Sequence, residues 1–227
     1  IKASAVEAHL TPNAKAILIG YPANPTGAVL NKEELSAIAD VAIRHGLVVI
    51  SDEVYAQLVY GVEHTCFASL PHMKEHCILL GGFSKAFSMT GWRVGYTAAP
   101  KDILEAMTKI HQYTMLCAPI MSQMAAIEAL RSGEAAVRAM VEDYDNRRHL
   151  MVQGLNETGL GCFEPHGAFY AFPSIETTGM SSEQFAEKLL SEEKVAVVPG
   201  SVFGQSGEGY IRCCYATSTA EIEEALR

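Results

Sequence analysis

Several reactive or charge-matching side chains stand just beyond short apolar runs. Asn24 follows residues 16–21, Asp52 and Tyr55 follow Val48-Val49-Ile50, and Ser84 and Lys85 follow Cys77-Ile78-Leu79-Leu80, with Arg93 eight residues further on. In open α/β sheets ligands bind beyond the carboxyl ends of the strands. If the apolar runs are strands, an amide, a carboxylate, a phenol, an amine and a guanidinium converge on one crevice carrying both signs of charge, which suits a cofactor. A lysine there can serve as nucleophile and base, because its pKa falls when it is desolvated beside another cation.

Each residue alone also has an ordinary reading. Lys85 could be a solvated surface lysine, Asp52 a helix N-cap, Asn24 a turn residue before proline, Tyr55 core, Ser84 a turn residue and Arg93 a surface ion pair. Arg212, between Ile211 and Cys213 in an apolar stretch, needs a partner if it is buried. Trp92 is expected to pack, and His166 to be a loop residue.

The elements that must position these groups follow from periodicity. Residues 16–21, 48–50 and 77–80 read as buried strands, and Val94 to Ala98 as a fourth. Asn31 is the expected N-cap of a helix over 32–45, whose apolar residues recur at helical spacing until Gly46. Continuous apolar strands separated by an amphipathic helix indicate a mostly parallel α/β sheet covered on both faces. Helical patterns follow at about 101–116, 119–131 and 134–158. Short strands near 162–173, 195–198 and 210–215 then alternate with helices near 181–191 and 219–227, the pattern of a smaller α+β domain. The expected domains are 1–145 and 146–227.

Composition narrows the classes. The chain has 227 residues, 49% hydrophobic and 19% charged, with a formal charge of −9, which argues against nucleic acid or an anionic membrane as the main partner. No apolar run reaches the length of a membrane span. Six cysteines lack any C-x-x-C pair, so buried free thiols in the cytoplasm are expected, with no metal site.

Gly82-Phe83-Ser84-Lys85-Ala86-Phe87-Ser88-Met89-Thr90-Gly91-Trp92-Arg93-Val94-Gly95 resembles the lysine-attachment motif of the class I/II aminotransferases, pyridoxal phosphate (PLP) enzymes of fold type I. Asn24-Pro25-Thr26-Gly27, Asp52-Glu53-Val54-Tyr55, Gly167-Ala168-Phe169-Tyr170 and Tyr210-Ile211-Arg212 resemble further motifs of that family in the same order. The resemblance implies a fold of the PLP-transferase type, with 1–145 the later part of the large domain and 146–227 the small domain. It implies a Schiff base on Lys85, Asp52 on the pyridine nitrogen, and Asn24 and Tyr55 on the ring 3′-oxygen. Ser84 and Arg93 are implied on the phosphate, and Arg212 on the substrate α-carboxylate. Lys85, Asp52 and Tyr55 are the expected catalytic residues.

The implied reaction moves an amino group from an α-amino acid, such as aspartate or an aromatic one, to a 2-oxo acid, in a full-length homodimer. Two alternatives stay open: a PLP-dependent C–S β-lyase of the same fold, and a catalytically incomplete fragment. Gly82 departs from the family, where many relatives carry a phosphate-binding serine. Family members also carry a long segment ahead of the Asn-Pro-Thr-Gly strand, so the resemblance implies a chain lacking its N-terminal portion.

Overall fold

The four apolar runs build one sheet. After a short helix α1 (Ala3–Ala8) that periodicity did not reveal, the chain enters β1 (Ala16–Gly20), and the computed structural model describes every residue from 1 to 227. Helix α2 (Lys32–Arg44) begins with a capping box. Glu34 N donates to Asn31 Oδ1 and Asn31 N to Glu34 Oε2, each at 2.9 Å, which satisfies two backbone donors that helix formation leaves unpaired. Strands β2 (Val48–Asp52), β3 (Cys77–Gly82) and β4 (Gly95–Ala98) complete the order β1-β2-β3-β4. The first two pairings are parallel and β3–β4 is antiparallel.

Register decides which side chains α2 covers. Ile17 pairs with Val49 and Val49 with Cys77, so all three share a face, and Leu35, Ile38, Ala39 and Ala42 of α2 pack there with Ile19 and Phe67. The other face differs from expectation. Leu18 is 72% exposed, because a strand can be apolar on both sides while a helix is laid on one. Helix α3 (Lys101–Thr114) buries none of its residues. Helix α4 (Ile120–Ser132) sets Ala125, Ala126 and Ala129 against Phe83, Phe87 and Met89.

The chain divides into two compact units, Ile1–Pro22 with Leu30–Arg138, and Ala23–Val29 with Ala139–Arg227. The division falls inside α5 (Glu134–Glu157), the helix that also holds the expected boundary at residue 146. In the second unit β5 (Tyr170–Ala171), α6 (Ser182–Glu193), β6 (Val198–Pro199), β7 (Ile211–Cys214) and α7 (Thr219–Ala225) follow. Its antiparallel sheet has the order β5-β7-β6. Met151, Leu155, Phe172, Ile175, Tyr215 and Ile222 are buried in this unit.

Residues 23–29 join the second unit through Gly27. His166 N and Gly167 N both donate to Gly27 O, at 3.1 and 2.9 Å. Gly27 has a φ of +70°, and a Cβ there would meet Pro165 Cβ at 2.4 Å. Both the left-handed backbone and the close approach therefore require glycine.

Candidate active site

In the first unit, Lys85 sits in a turn directly beyond β3. Phe87 N and Met89 N both donate to Phe83 O at 3.3 Å, and Ser88 N donates to Lys85 O at 3.2 Å. Phe83, Ala86 and Met89 are buried and tie the turn down, while Lys85 stays half-buried between them. Its Nζ lies 5.8 Å from the centroid of the buried Tyr55 ring, within range of a cation–π contact. The far side of the loop is closed by Thr90 Oγ1 donating to Ser84 O and by Arg93 Nη1 donating to Thr90 O, both at 2.9 Å. Arg93 ends a 3₁₀ turn (Thr90–Trp92) in the left-handed region at φ 52° and is exposed.

Asp52 closes β2, exposed, with Oδ1 accepting Val54 N at 3.2 Å. A Cβ added at Gly82 would meet nothing nearer than 3.6 Å, so glycine is not sterically demanded there and a serine would fit.

Sequence reasoning gave no role to the residues flanking Asp52, and the structure does. Glu53 is buried and accepts from Ser51 Oγ at 2.9 Å and from Phe67 N at 2.9 Å, and it pairs with His64 Nε2 at 2.7 Å. Burial works to raise its carboxyl, and the hydrogen bonds from His64, Phe67 N and Ser51 outweigh it, so the group lies below the usual carboxylate value. The only sequence signal was a charged residue adjoining an apolar strand. Nothing in the spacing pointed to His64, eleven residues on.

In the second unit, the Arg212 guanidinium lies 4.5 Å from the Tyr170 ring centroid and 5.2 Å from that of Phe203. Nη1 donates to Asn24 Oδ1 at 2.7 Å. Its Nε is buried without a hydrogen-bond partner. Burying such a donor costs free energy unless something accepts from it. Asn24 and Arg212, 188 residues apart in sequence, are thus brought into direct contact.

Two expectations need correction. Trp92 is 47% exposed rather than packed, because its 3₁₀ turn carries it outward. Of the six free thiols, Cys77 and Cys213 are buried, but Cys117 and Cys214 are exposed. Cys214 follows from strand alternation, which sends it to the face opposite Cys213. His166 is a loop residue, as expected, working through its backbone.

The sequence profile of the class I and II aminotransferases matches residues 1–227. This chain belongs to that family. It is 60% identical over 220 residues to the putative aminotransferase YugH of Bacillus subtilis. It is 50% identical to an aspartate aminotransferase of Pyrococcus abyssi and 48% to aromatic-amino-acid aminotransferase 2 of Thermococcus litoralis. These matches take in 96–97% of this chain and 57–58% of each relative's length. Among solved structures, the aromatic aminotransferase of Pyrococcus horikoshii superposes with a TM-score of 0.97 at 46% identity, covering 100% of this chain and 61% of that one. The α/β architecture read from the apolar runs is therefore that of an aminotransferase.

Proposed function

We propose that this chain carries catalytic and binding residues of a PLP-dependent aminotransferase acting on α-amino acids, aspartate or aromatic ones among them, and 2-oxo acids. Membership of the aminotransferase family supports the reaction class. The aspartate and aromatic relatives support the substrate range. The observation that carries the reading is Arg212, a guanidinium held against the Tyr170 ring and tied through Nη1 to Asn24, a pre-positioned cation that suits recognition of a carboxylate.

The donor set fits PLP: an amine, carboxylate, phenol, hydroxyl and guanidinium in the first unit, with the Lys85 amine beside the Tyr55 ring. When bound, PLP supplies a conjugated electron sink for the electrons left when the substrate Cα–H bond breaks. Lys85 would hold the cofactor covalently and then, as a free amine, take the Cα proton and return it one position along. Asp52 would keep the pyridine nitrogen protonated. Tyr55 and Asn24 would donate to the ring 3′-oxygen. With Asn24 Oδ1 engaged by Arg212, its NH₂ is the end left to donate. Ser84 and Arg93 would hold the phosphate, and Arg212 would fix the α-carboxylate and so orient the Cα–H bond.

Residues 1–145 are assigned as the later part of the large PLP-binding domain and 146–227 as the small domain, with Asn24 grouped among the residues of the second compact unit. The six free thiols support a reducing, cytoplasmic setting. The exposed apolar side chains Ile110, Tyr113, Leu116 and Met121 support a homodimer.

Two measurements test the proposal. Borohydride reduction after incubation with PLP, followed by peptide mass spectrometry, is expected to place a pyridoxyl group on Lys85. Glutamate formation from 2-oxoglutarate with aspartate or phenylalanine as donor is expected to follow. A protein labelled at Lys85 that releases pyruvate and sulfide from cysteine, with no glutamate formed, would overturn transfer in favour of β-elimination.

A further inference from the structure

Arg148 is the most heavily engaged buried charge of the second unit. Its side chain is 4% exposed. Nε and Nη2 reach Asp145 Oδ1 at 2.8 and 2.7 Å, Nη1 donates to Glu164 Oε1 at 2.6 Å and to Pro165 O at 3.1 Å, and Nη2 lies 3.1 Å from His149 Nε2. One guanidinium on α5 therefore grips both the side chain and the backbone of residues 164–165. A salt bridge serving stability alone does not call for this arrangement, since a well-packed apolar group often does as well.

What those two residues touch gives the arrangement its direction. Pro165 is the residue pressed against Gly27, and the next two backbone amides, His166 N and Gly167 N, both donate to Gly27 O. Gly27 in turn closes the turn that presents Asn24: Gly27 N donates to Ala23 O at 2.8 Å, and Ala23 N to Ala28 O at 2.9 Å. Asn24 Oδ1 then takes the Arg212 Nη1 hydrogen at 2.7 Å. The path from Arg148 to Arg212 is a continuous series of short contacts within one unit, with no freely rotating side chain until Asn24.

We propose that Arg148 is a positioning residue for the Arg212 carboxylate clamp. It holds 164–167 against Gly27, which fixes the Asn24 amide and with it the plane of the Arg212 guanidinium. Arg148 touches no substrate; it acts through the turn. This rests on the reading of Arg212 as a carboxylate clamp, but the positioning itself can be read without any ligand.

The test is Arg148→Met, alone and with Asn24→Ala, in the full chain, with circular dichroism as the check on folding. In the ligand-free protein, the Arg212 guanidinium ¹H–¹⁵N signals, assigned with Arg212→Lys, are expected to move toward those of an unbonded arginine in R148M. Unchanged Arg212 signals in a folded R148M would overturn the proposal. Succinate serves as the carboxylate probe. Its dissociation constant is expected to rise about fivefold in R148M, and by less than about twofold when N24A is already present, because the two changes break one path. Equal losses in both backgrounds would mean a diffuse structural effect and would also overturn it. Glu164→Gln, which keeps Arg148 and its shape, is expected to shift the same signals less far and decides the case should R148M not fold. Absence of succinate binding to the unsubstituted protein counts against the carboxylate reading, and the ligand-free signals then decide the positioning alone.

Discussion

Arg212, in the second unit, lies against the rings of Tyr170 and Phe203 with Asn24 on one nitrogen, whereas Arg93, in the first, is exposed and donates to the carbonyl of Thr90, three residues back. The same side chain is fixed by distant partners in one place and by its own turn in the other. A guanidinium walled by aromatic rings and tied by an amide has little rotamer freedom left to lose when a planar anion arrives. One on an exposed local turn keeps its freedom and its hydration. The first arrangement suits discrimination of geometry, the second attraction of a charged group such as a phosphate. The remaining groups of the first unit follow the Arg93 pattern in part. Asp52 is held by Val54 N, two residues on, but its neighbour Glu53 is locked by a buried tertiary network.

The largest effect is expected at Lys85, where local turn and chemistry coincide. Lys85→Arg keeps the charge and removes the reactive amine. Pyridoxyl labelling should vanish, and glutamate formation should fall by about 10³-fold or more; retained labelling at another lysine would show that the turn does not select the amine.

Next is Glu53, the tertiary exception within the first unit. Glu53→Ala leaves the Phe67 amide and His64 without their buried acceptor and should cost about 3 kcal/mol in chemical denaturation. The sign with pH follows from its depressed pKa. The stabilisation is complete above the unfolded carboxylate value of about 4.3 and is lost as pH falls through the lower folded value. As pH falls below about 5, unfolding free energies should drop more steeply for the unsubstituted protein than for Glu53→Ala. Parallel curves would show that the buried network is not linked to stability.

The two arginines give the direct contrast. Arg212→Lys loses the fork and the stacking and should weaken succinate binding by about 2 kcal/mol, or roughly thirtyfold, by titration calorimetry. Arg93→Lys should leave succinate unchanged and weaken PLP by about 1 kcal/mol. Equal losses of succinate binding would erase the distinction between the two arginines.

The smallest effect serves as the control. Asn31 caps α2 in the first unit and Ser181 caps α6 in the second, each by a capping box. Asn31→Ala and Ser181→Ala should each cost about 1 kcal/mol in thermal or chemical unfolding, with no change in succinate binding. A cap depends on local backbone, so the units should not differ here as they do at their arginines.

Local signals were enough for much of the fold. The capping residue at 31, the helical stripe of α2 and the apolar strand cores can each be read within a few residues, because hydrogen bonding within a turn and side-chain periodicity act over that range. For the same reason the positions beyond the strands, Asp52, Tyr55, Ser84 and Lys85, could be named before any contact was known. Helix α1, six residues long and without a buried side chain, left too short a pattern to read.

The sequence by itself determined which side chains are available for chemistry and which strand ends they follow. Tertiary structure alone decided which sheet face α2 covers, that residues 23–29 belong with the second unit, and that Asn24 meets Arg212. It also decided that Glu53 and Arg148, ordinary charges on inspection, are buried and fully engaged. These outcomes depend largely on contacts between residues far apart in sequence, from 11 positions for Glu53 and His64 to 188 for Asn24 and Arg212. Periodicity carries no information at that separation; packing and the satisfaction of buried polar groups decide it instead.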